Sequence, residues 1–239
     1  MDVRMPTMDR ARWAPPALTG ALRQTAPVVL GYLPVGFAYG VLALKTGLSP
    51  LNTVLMSVLV FAGSAQLIAV GLLAAGASPL SVAATTFVVN LRHVLMAASL
   101  APHLRGWPAS RLAWFGFQLT DETFALHSLR FVRGEAGVGE TLCINAVAQA
   151  AWVAGTVLGV AASAAVADVR PLGLDYALPA MFIALVVGQV RGAVHVLAGL
   201  AAAGLALWLH HAGAGQWSVI LATLGAAGLG AGVSAWTRR

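Results

Sequence analysis

The chain has 239 residues, 59% of them hydrophobic and only 9% charged, where an ordinary soluble domain carries about 25% charged residues. A mean hydropathy of +0.83 excludes a water-exposed globule. The net charge of +6 does not point to nucleic acid, because the basic residues lie scattered between apolar runs rather than in one patch. The single cysteine, Cys143, excludes an internal disulfide, and no Cys/His group has zinc-site spacing.

Residues 1–25 carry Arg4, Arg10, Arg12 and Arg23 with Pro6, Pro15 and Pro16, the composition of a disordered, basic cytoplasmic tail. No short apolar stretch with a small-residue cleavage site precedes the first long run, so a cleaved signal is not expected. Residues 26–239 read as a single transmembrane domain. The runs are too long for barrel strands and lack their alternation, so the fold class is all-α, a polytopic helical membrane protein. At roughly 20 residues per crossing, about eight segments are expected, at 26–44, 51–75, 79–100, 112–131, 142–166, 176–190, 193–211 and 216–236. The joints carry turn chemistry, as in Gly47-Leu48-Ser49-Pro50, Gly76-Ala77-Ser78-Pro79 and Arg105-Gly106-Trp107-Pro108.

Charge asymmetry favours that count. With the N-terminus inside, eight crossings place Arg4, Arg10, Arg12, Arg23, Arg130, Arg133, Arg191, Arg238 and Arg239 on the inner side. Only Lys45, Arg105, Arg111 and Arg170 then lie outside, and both termini are cytoplasmic. The sixth segment is short, which leaves seven crossings or a re-entrant element open. A weak self-similarity at an offset of 115 aligns Gly40 with Gly155, and residues 64–69 with 179–184. Duplication and the chance likeness of Ala-rich membrane sequence explain it equally well; a repeat would be parallel and would favour a site where its halves meet.

In chain order, the first interruption is Gly31-Tyr32-Leu33-Pro34-Val35-Gly36, where Pro34 cannot donate to the helix ladder. The second is Ala62-Gly63-Ser64-Ala65-Gln66, with the free amide of Gln66 beside it. Non-helical backbone at membrane depth persists only against protein or a water-lined cavity. Residues 63–66 are therefore expected to form a non-helical break lining a mid-membrane cavity, with Pro34, Gly36 and Gly40 across it. Tight helix packing through Gly36 and Gly40, a G-x-x-x-G pair, is the alternative reading of those glycines.

The third segment carries Asn90-Leu91-Arg92-His93 within apolar sequence. Thr86, Asn90 and His93 share one helical face, with Arg92 about 100° round from His93. Snorkelling of Arg92, or an early helix end, is the bland alternative. The fourth segment carries Gln118, Asp121 and Glu122 at i, i+3 and i+4, again one face of a continuous helix. Here the alternative is a helix N-cap at Thr120-Asp121-Glu122 after a break. A charge at bilayer mid-depth costs at least about 2.5 kcal/mol, and the antiparallel third and fourth segments put Arg92 and Asp121 at matching depth. An ion pair of Arg92 with Asp121 or Glu122 is expected. His195, His210 and His211 read as interfacial.

These stretches resemble a known family. Pro34-Val35-Gly36-Phe37-Ala38-Tyr39-Gly40, Phe61-Ala62-Gly63-Ser64-Ala65-Gln66, Asn90-Leu91-Arg92-His93 and Gln118-Leu119-Thr120-Asp121-Glu122-Thr123-Phe124-Ala125-Leu126 are similar in order and spacing to the AzlC family, large subunits of bacterial branched-chain amino acid exporters. The resemblance implies an inner-membrane permease for branched-chain or similar amino acids, with a small, hydrophobic AzlD-like membrane partner. It does not supply the binding residues.

The physical reading assigns the substrate or proton pathway to Gln66, Asn90, Arg92, His93, Gln118, Asp121 and Glu122, and the helix breaks and cavity lining to Pro34, Gly36, Gly40, Gly63 and Ser64. Arg92 suits a substrate carboxylate, and His93, Asp121 and Glu122 suit a coupled proton. No ATP-binding motif, catalytic Ser/His/Asp order or H-E-x-x-H occurs, so neither an enzyme nor a cofactor or metal is expected. The rival readings are a membrane-embedded acid/base enzyme using Asp121 and Glu122, and an assembly subunit without its own pathway.

Overall fold

The computed structural model describes residues 15–135, 137–166, 192–213 and 217–237, with positions 171, 173, 176, 180, 183, 187 and 190 between them. Among these residues every regular element is a helix. In chain order they are α1 (Pro15–Lys45), α2 (Pro50–Leu59), α3 (Gly63–Ala74) and α4 (Pro79–Leu100), then a 3-10 turn (Ala101–Leu104). They continue with α5 (Ala109–Phe117), α6 (Asp121–Val132), α7 (Val138–Ala162), α8 (Ala193–His211) and α9 (Trp217–Thr237).

Serine and proline set the helix starts. Ser49 and Ser78 are N-caps, accepting from the amides of Asn52 and Ser81, and each is followed by a proline in the first turn. Glycines with positive φ end the preceding helices, Gly47 at 90° and Gly76 at 72°, conformations that a Cβ disfavours.

Among the described residues, four helices are long and apolar enough to cross a membrane: Leu18–Lys45, Pro79–Leu104, Val138–Ala162 and Ala193–His211. The expected second and fourth segments are each divided into two half-helices, α2/α3 and α5/α6. The sixth, 176–190, lies almost wholly outside the described residues, as does most of the stretch compared with residues 64–69. The outward faces are apolar, with Leu30, Leu80, Phe87, Leu95, Val132 and Leu207 all highly exposed. Apolar surface on that scale belongs in lipid.

Two expectations need correction. Residues 15–25, expected in a disordered tail, are the first turns of α1, and Ala21 and Thr25 there are fully buried; residues 1–14 lie outside the described residues. Secondly, α1 is one helix through Pro27 and Pro34, with no break at 31–36. A proline removes a single helical donor, and membrane helices tolerate it where neighbours compensate.

Just beyond Pro34, α1 packs closely against α7. Gly36 and Gly40 face Gly155 and Gly159 of α7 in a reciprocal seam. A Cβ on Gly36 would stand 2.8 Å from the Trp152 carbonyl oxygen, and one on Gly155 2.5 Å from that of Leu33. Both helices use absent side chains to bring their backbones together. Gly36 and Gly40 therefore serve this contact, and neither they nor Pro34 line the cavity. Tyr32, Tyr39, Phe61 and Trp152 fill the core beside the seam, with the Tyr32 and Trp152 rings edge to face at 5.4 Å.

Candidate functional site

The α2/α3 break falls at Val60-Phe61-Ala62, just before the expected 63–66, and α3 is helical from Gly63. Phe61 turns the chain with φ 42°, a left-handed conformation that costs a non-glycine residue about 1–2 kcal/mol. Its ring is buried against Tyr32, 6.2 Å away. The new helix has no side-chain cap at Ala62, so its first amides remain open.

The α5/α6 break falls at Gln118-Leu119-Thr120. Thr120 is the N-cap of α6 in a capping box with Thr123: the Thr123 amide donates to Thr120 Oγ1 at 3.3 Å and the Thr120 amide to Thr123 Oγ1 at 2.9 Å. Asp121 and Glu122 thus occupy the first turn, where the helix dipole favours carboxylates.

Both new N-termini open on one cavity. Phe61, Ala62, Gly63 and Ser64 line it from one side and Thr120, Asp121 and Glu122 from another, with Arg92 and His93 of α4, Tyr32 of α1 and Trp152 of α7. Its volume of about 20 Å³ suits one water molecule, so the site is closed to anything the size of an amino acid. A Cβ on Gly63 would meet the Trp152 ring at 2.7 Å.

Arg92 spans the cavity. Its Nη2 lies 2.8 Å from Asp121 Oδ2 and also donates to Ser64 Oγ, while its Nε is buried without a partner. Tyr32 OH donates to Glu122 Oε2 at 2.7 Å. The hydroxyl has a single proton, so Thr120 Oγ1, 2.6 Å away, donates to the tyrosine oxygen in turn. His93 Nδ1 lies 3.1 Å from the Asn90 carbonyl oxygen; a carbonyl only accepts, so Nδ1 carries the proton and Nε2 of the neutral ring is an acceptor.

Of the residues expected on the pathway, Arg92, His93, Asp121 and Glu122 converge here, with Gly63 and Ser64. Three others do not. Gln66 is fully buried between α2, α3 and α7, donating to Ser57 Oγ at 3.1 Å and accepting from Trp152 Nε1 at 3.1 Å. It steadies the cavity-lining indole from behind. Asn90 lies off the cavity, its Oδ1 buried and unpartnered. Gln118 is turned away by the break, so it does not share a helical face with Asp121 and Glu122. It donates to Gln149 Oε1 at 2.8 Å and lines a separate, apolar cleft with Trp114 and Phe117.

A family model described as AzlC protein matches residues 27–166, a stretch holding every cavity residue from Tyr32 to Trp152. The chain belongs to the AzlC family. Among its relatives, the inner membrane protein YgaZ of Escherichia coli K12 is 33% identical over 71% of this chain and 71% of its own length. An uncharacterised membrane protein of Archaeoglobus fulgidus is 33% identical over 77% of this chain and 80% of its own. A Bacillus subtilis 168 protein named branched-chain amino acid transport protein AzlC is 29% identical over 74% of this chain and 68% of its own. No solved structure matches the chain significantly.

Within this AzlC chain, Tyr32 and Trp152 are site residues that spacing alone does not single out, while the N-cap alternative at Thr120-Asp121-Glu122 is the one the structure adopts. Thr120 had a usable signal, the Thr-x-x-Thr start of a capping box ahead of two carboxylates. Tyr32 meets Thr120 and Glu122 across separations of 88 and 90 residues, which no local pattern reports.

Proposed function

We propose that the protein is a secondary transporter that exports branched-chain or similar hydrophobic amino acids across a bacterial inner membrane. In this reading both termini are cytoplasmic and the chain is the large subunit beside a small AzlD-like membrane partner. The observation that carries it is the closed cavity, where a guanidinium, an imidazole and two carboxylates converge with the first turns of two half-helices in apolar surroundings. Charges at such depth face a bundle interior or a transport pathway, and half-helices starting at mid-membrane form many transporter sites.

The chemistry suits a zwitterion with an apolar tail. Arg92, with its unused Nε, and the uncapped start of α3 offer donors to a carboxylate. Glu122 offers an acceptor to an ammonium group, and the Tyr32, Phe61 and Trp152 rings offer an apolar wall. The cavity is too small for the substrate, so binding requires the half-helices to part. His93, Asp121 and Glu122 are the groups available for a coupled proton.

The test is flux of labelled leucine, valine and isoleucine in vesicles holding the full chain with and without the small subunit. We expect efflux well above empty vesicles, stimulated by a pH gradient and strongest with both subunits. An absence of flux under every condition, with the protein correctly inserted, overturns the reading.

A further inference from the structure

A second line of polar side chains leaves the cavity along α6. Thr120, Thr123, His127 and Arg130 stand at i, i+3, i+7 and i+10 on one helical face, and all are buried, His127 and Thr123 at 0% exposure. Opposite them α7 presents Thr141 and Asn145, also at 0%. Polar side chains also join packed membrane helices as hydrogen-bonded pairs, so the informative member of the stripe is one left without a partner.

Most links of the line are made. Tyr32 joins Thr120, and Thr120 joins Thr123 at 3.1 Å. At the other end Arg130 Nη2 donates to Glu140 Oε2 at 2.6 Å, with Glu135 3.7 Å from its Nε. Glu140 also accepts from Gln24 Nε2 at 2.8 Å. The exception is His127, which no hydrogen bond joins to Thr123 or to Arg130. Its Nε2 lies 2.7 Å from Asn145 Oδ1, an acceptor, so Nε2 carries the proton of the neutral ring. Nδ1 is then a buried lone pair with no partner, and Asn145 Nδ2 is unpartnered too. Turning the Asn145 amide over moves the mismatch to other atoms without removing it. Buried polar groups kept only for packing are normally satisfied.

Building on the transporter reading, we propose that His127 is a second proton-binding station of the transport cycle, lying beyond the end of the hydroxyl line Tyr32–Thr120–Thr123 that starts at Glu122. The proton is taken up on the free Nδ1, making both ring nitrogens donors, and is lost from that same atom, so none passes through the Asn145 amide. Each hydroxyl hands on one proton as it receives another, and the last transfer, from Thr123 Oγ1 to His127 Nδ1, requires a contact that this conformation does not make. The charged groups around the ring suit this role. Arg130, one turn along α6, has its charge offset by Glu140 of α7 and Glu135 beyond the helix end. From α5 only the Phe115 ring meets the imidazole, at 5.4 Å. His103 of the 3-10 turn lies tilted against the Phe131 ring at 5.7 Å, and Phe131 itself stacks on His127.

His127→Gln keeps a donor to Asn145 and removes the titratable ring. In vesicles holding both subunits we expect leucine counterflow, which needs no net proton movement, to stay near wild type, while flux driven by a pH gradient falls at least about tenfold. Gradient-driven flux at the wild-type level overturns the proposal. Equal loss in both assays at normal membrane abundance also overturns it, since packing alone would do that. Asn145→Asp serves where His127→Gln does not accumulate: a carboxylate beside the imidazole shifts the pH profile of gradient-driven flux upward by about one unit, and an unmoved profile overturns the assignment. A wild type silent in both assays overturns the transporter reading instead. The His127 ring 15N signal then decides this one: titration between pH 5 and 8, moved upward by Asn145→Asp, supports it, and a ring neutral throughout refutes it.

Discussion

The seam between α1 and α7 and the cavity at its side are built on opposite principles. Along the seam Gly36, Gly40, Gly155 and Gly159 bring backbone against backbone, with no charge and no side chain to rearrange. Around the cavity the backbone is interrupted twice, and what joins the pieces is polar side chains: Arg92 to Asp121 and Ser64, Tyr32 to Glu122 and Thr120. Seam contacts cannot be traded for anything else. Cavity contacts are hydrogen bonds and an ion pair, and a substrate carboxylate or ammonium group can take over either half. A rigid post with exchangeable pairs beside it is the arrangement expected of a site that opens and closes.

The largest effect should come from the seam. Gly159→Leu drives a side chain into the Phe37 carbonyl, and overpacking of that kind costs about 3 kcal/mol, enough to lower membrane abundance several-fold. Gly71→Ala, where an added Cβ meets nothing within 4 Å, should leave abundance and thermal midpoint unchanged. Quantitative blots and melting of the purified protein would check both. Normal accumulation of Gly159→Leu would dissolve the contrast between post and site.

Proline and glycine were the least legible signals. Pro34 signals a break, yet α1 runs straight through it. The real break came a few residues early, at Val60–Ala62, because the left-handed turn fell to Phe61, a residue type that rarely adopts it. Charges were far more legible. Arg92 and Asp121 stood out because lipid penalises each alone, and matching depth was enough to pair them. The bounds of α4 followed from Ser78-Pro79 and the length of the apolar run. Gln118 was grouped with Asp121 on the assumption of a continuous helix, and Gln66 was read as a free amide because its partners, Ser57 and Trp152, are set by tertiary packing.

A middle-sized effect should come from the ion pair. Arg92→Leu strands Asp121 and Ser64, and breaking a largely buried pair costs about 3 kcal/mol, somewhat less here because Arg92 is 26% and Asp121 16% exposed. The double variant Arg92→Leu/Asp121→Leu removes the stranded charge, so its thermal midpoint should exceed that of Arg92→Leu while transport stays absent. A double-mutant cycle on melting should give a coupling of at least about 1 kcal/mol. Additive effects would mean that the two groups are neighbours without being partners.

The smallest structural effect, and the sharpest on mechanism, should come from Asp121→Asn. Thr120, not Asp121, supplies the cap oxygen of α6, so the cap is untouched. The asparagine Oδ1 can still accept from Arg92, so the cost is only part of the roughly 3 kcal/mol that full loss of a largely buried partner brings. Abundance should therefore fall less than in Asp121→Leu. Transport should split: if Asp121 carries the coupled proton, gradient-driven efflux collapses while substrate binding and counterflow survive. Glu122→Gln should copy this only where the two carboxylates share the proton. They are adjacent on the helix and point about 100° apart, one to Arg92 and the other to Tyr32, so one dominant residue is expected. Wild-type gradient-driven efflux in Asp121→Asn, at normal abundance, would remove Asp121 from the coupling and leave it as the counter-charge that makes Arg92 tolerable in lipid.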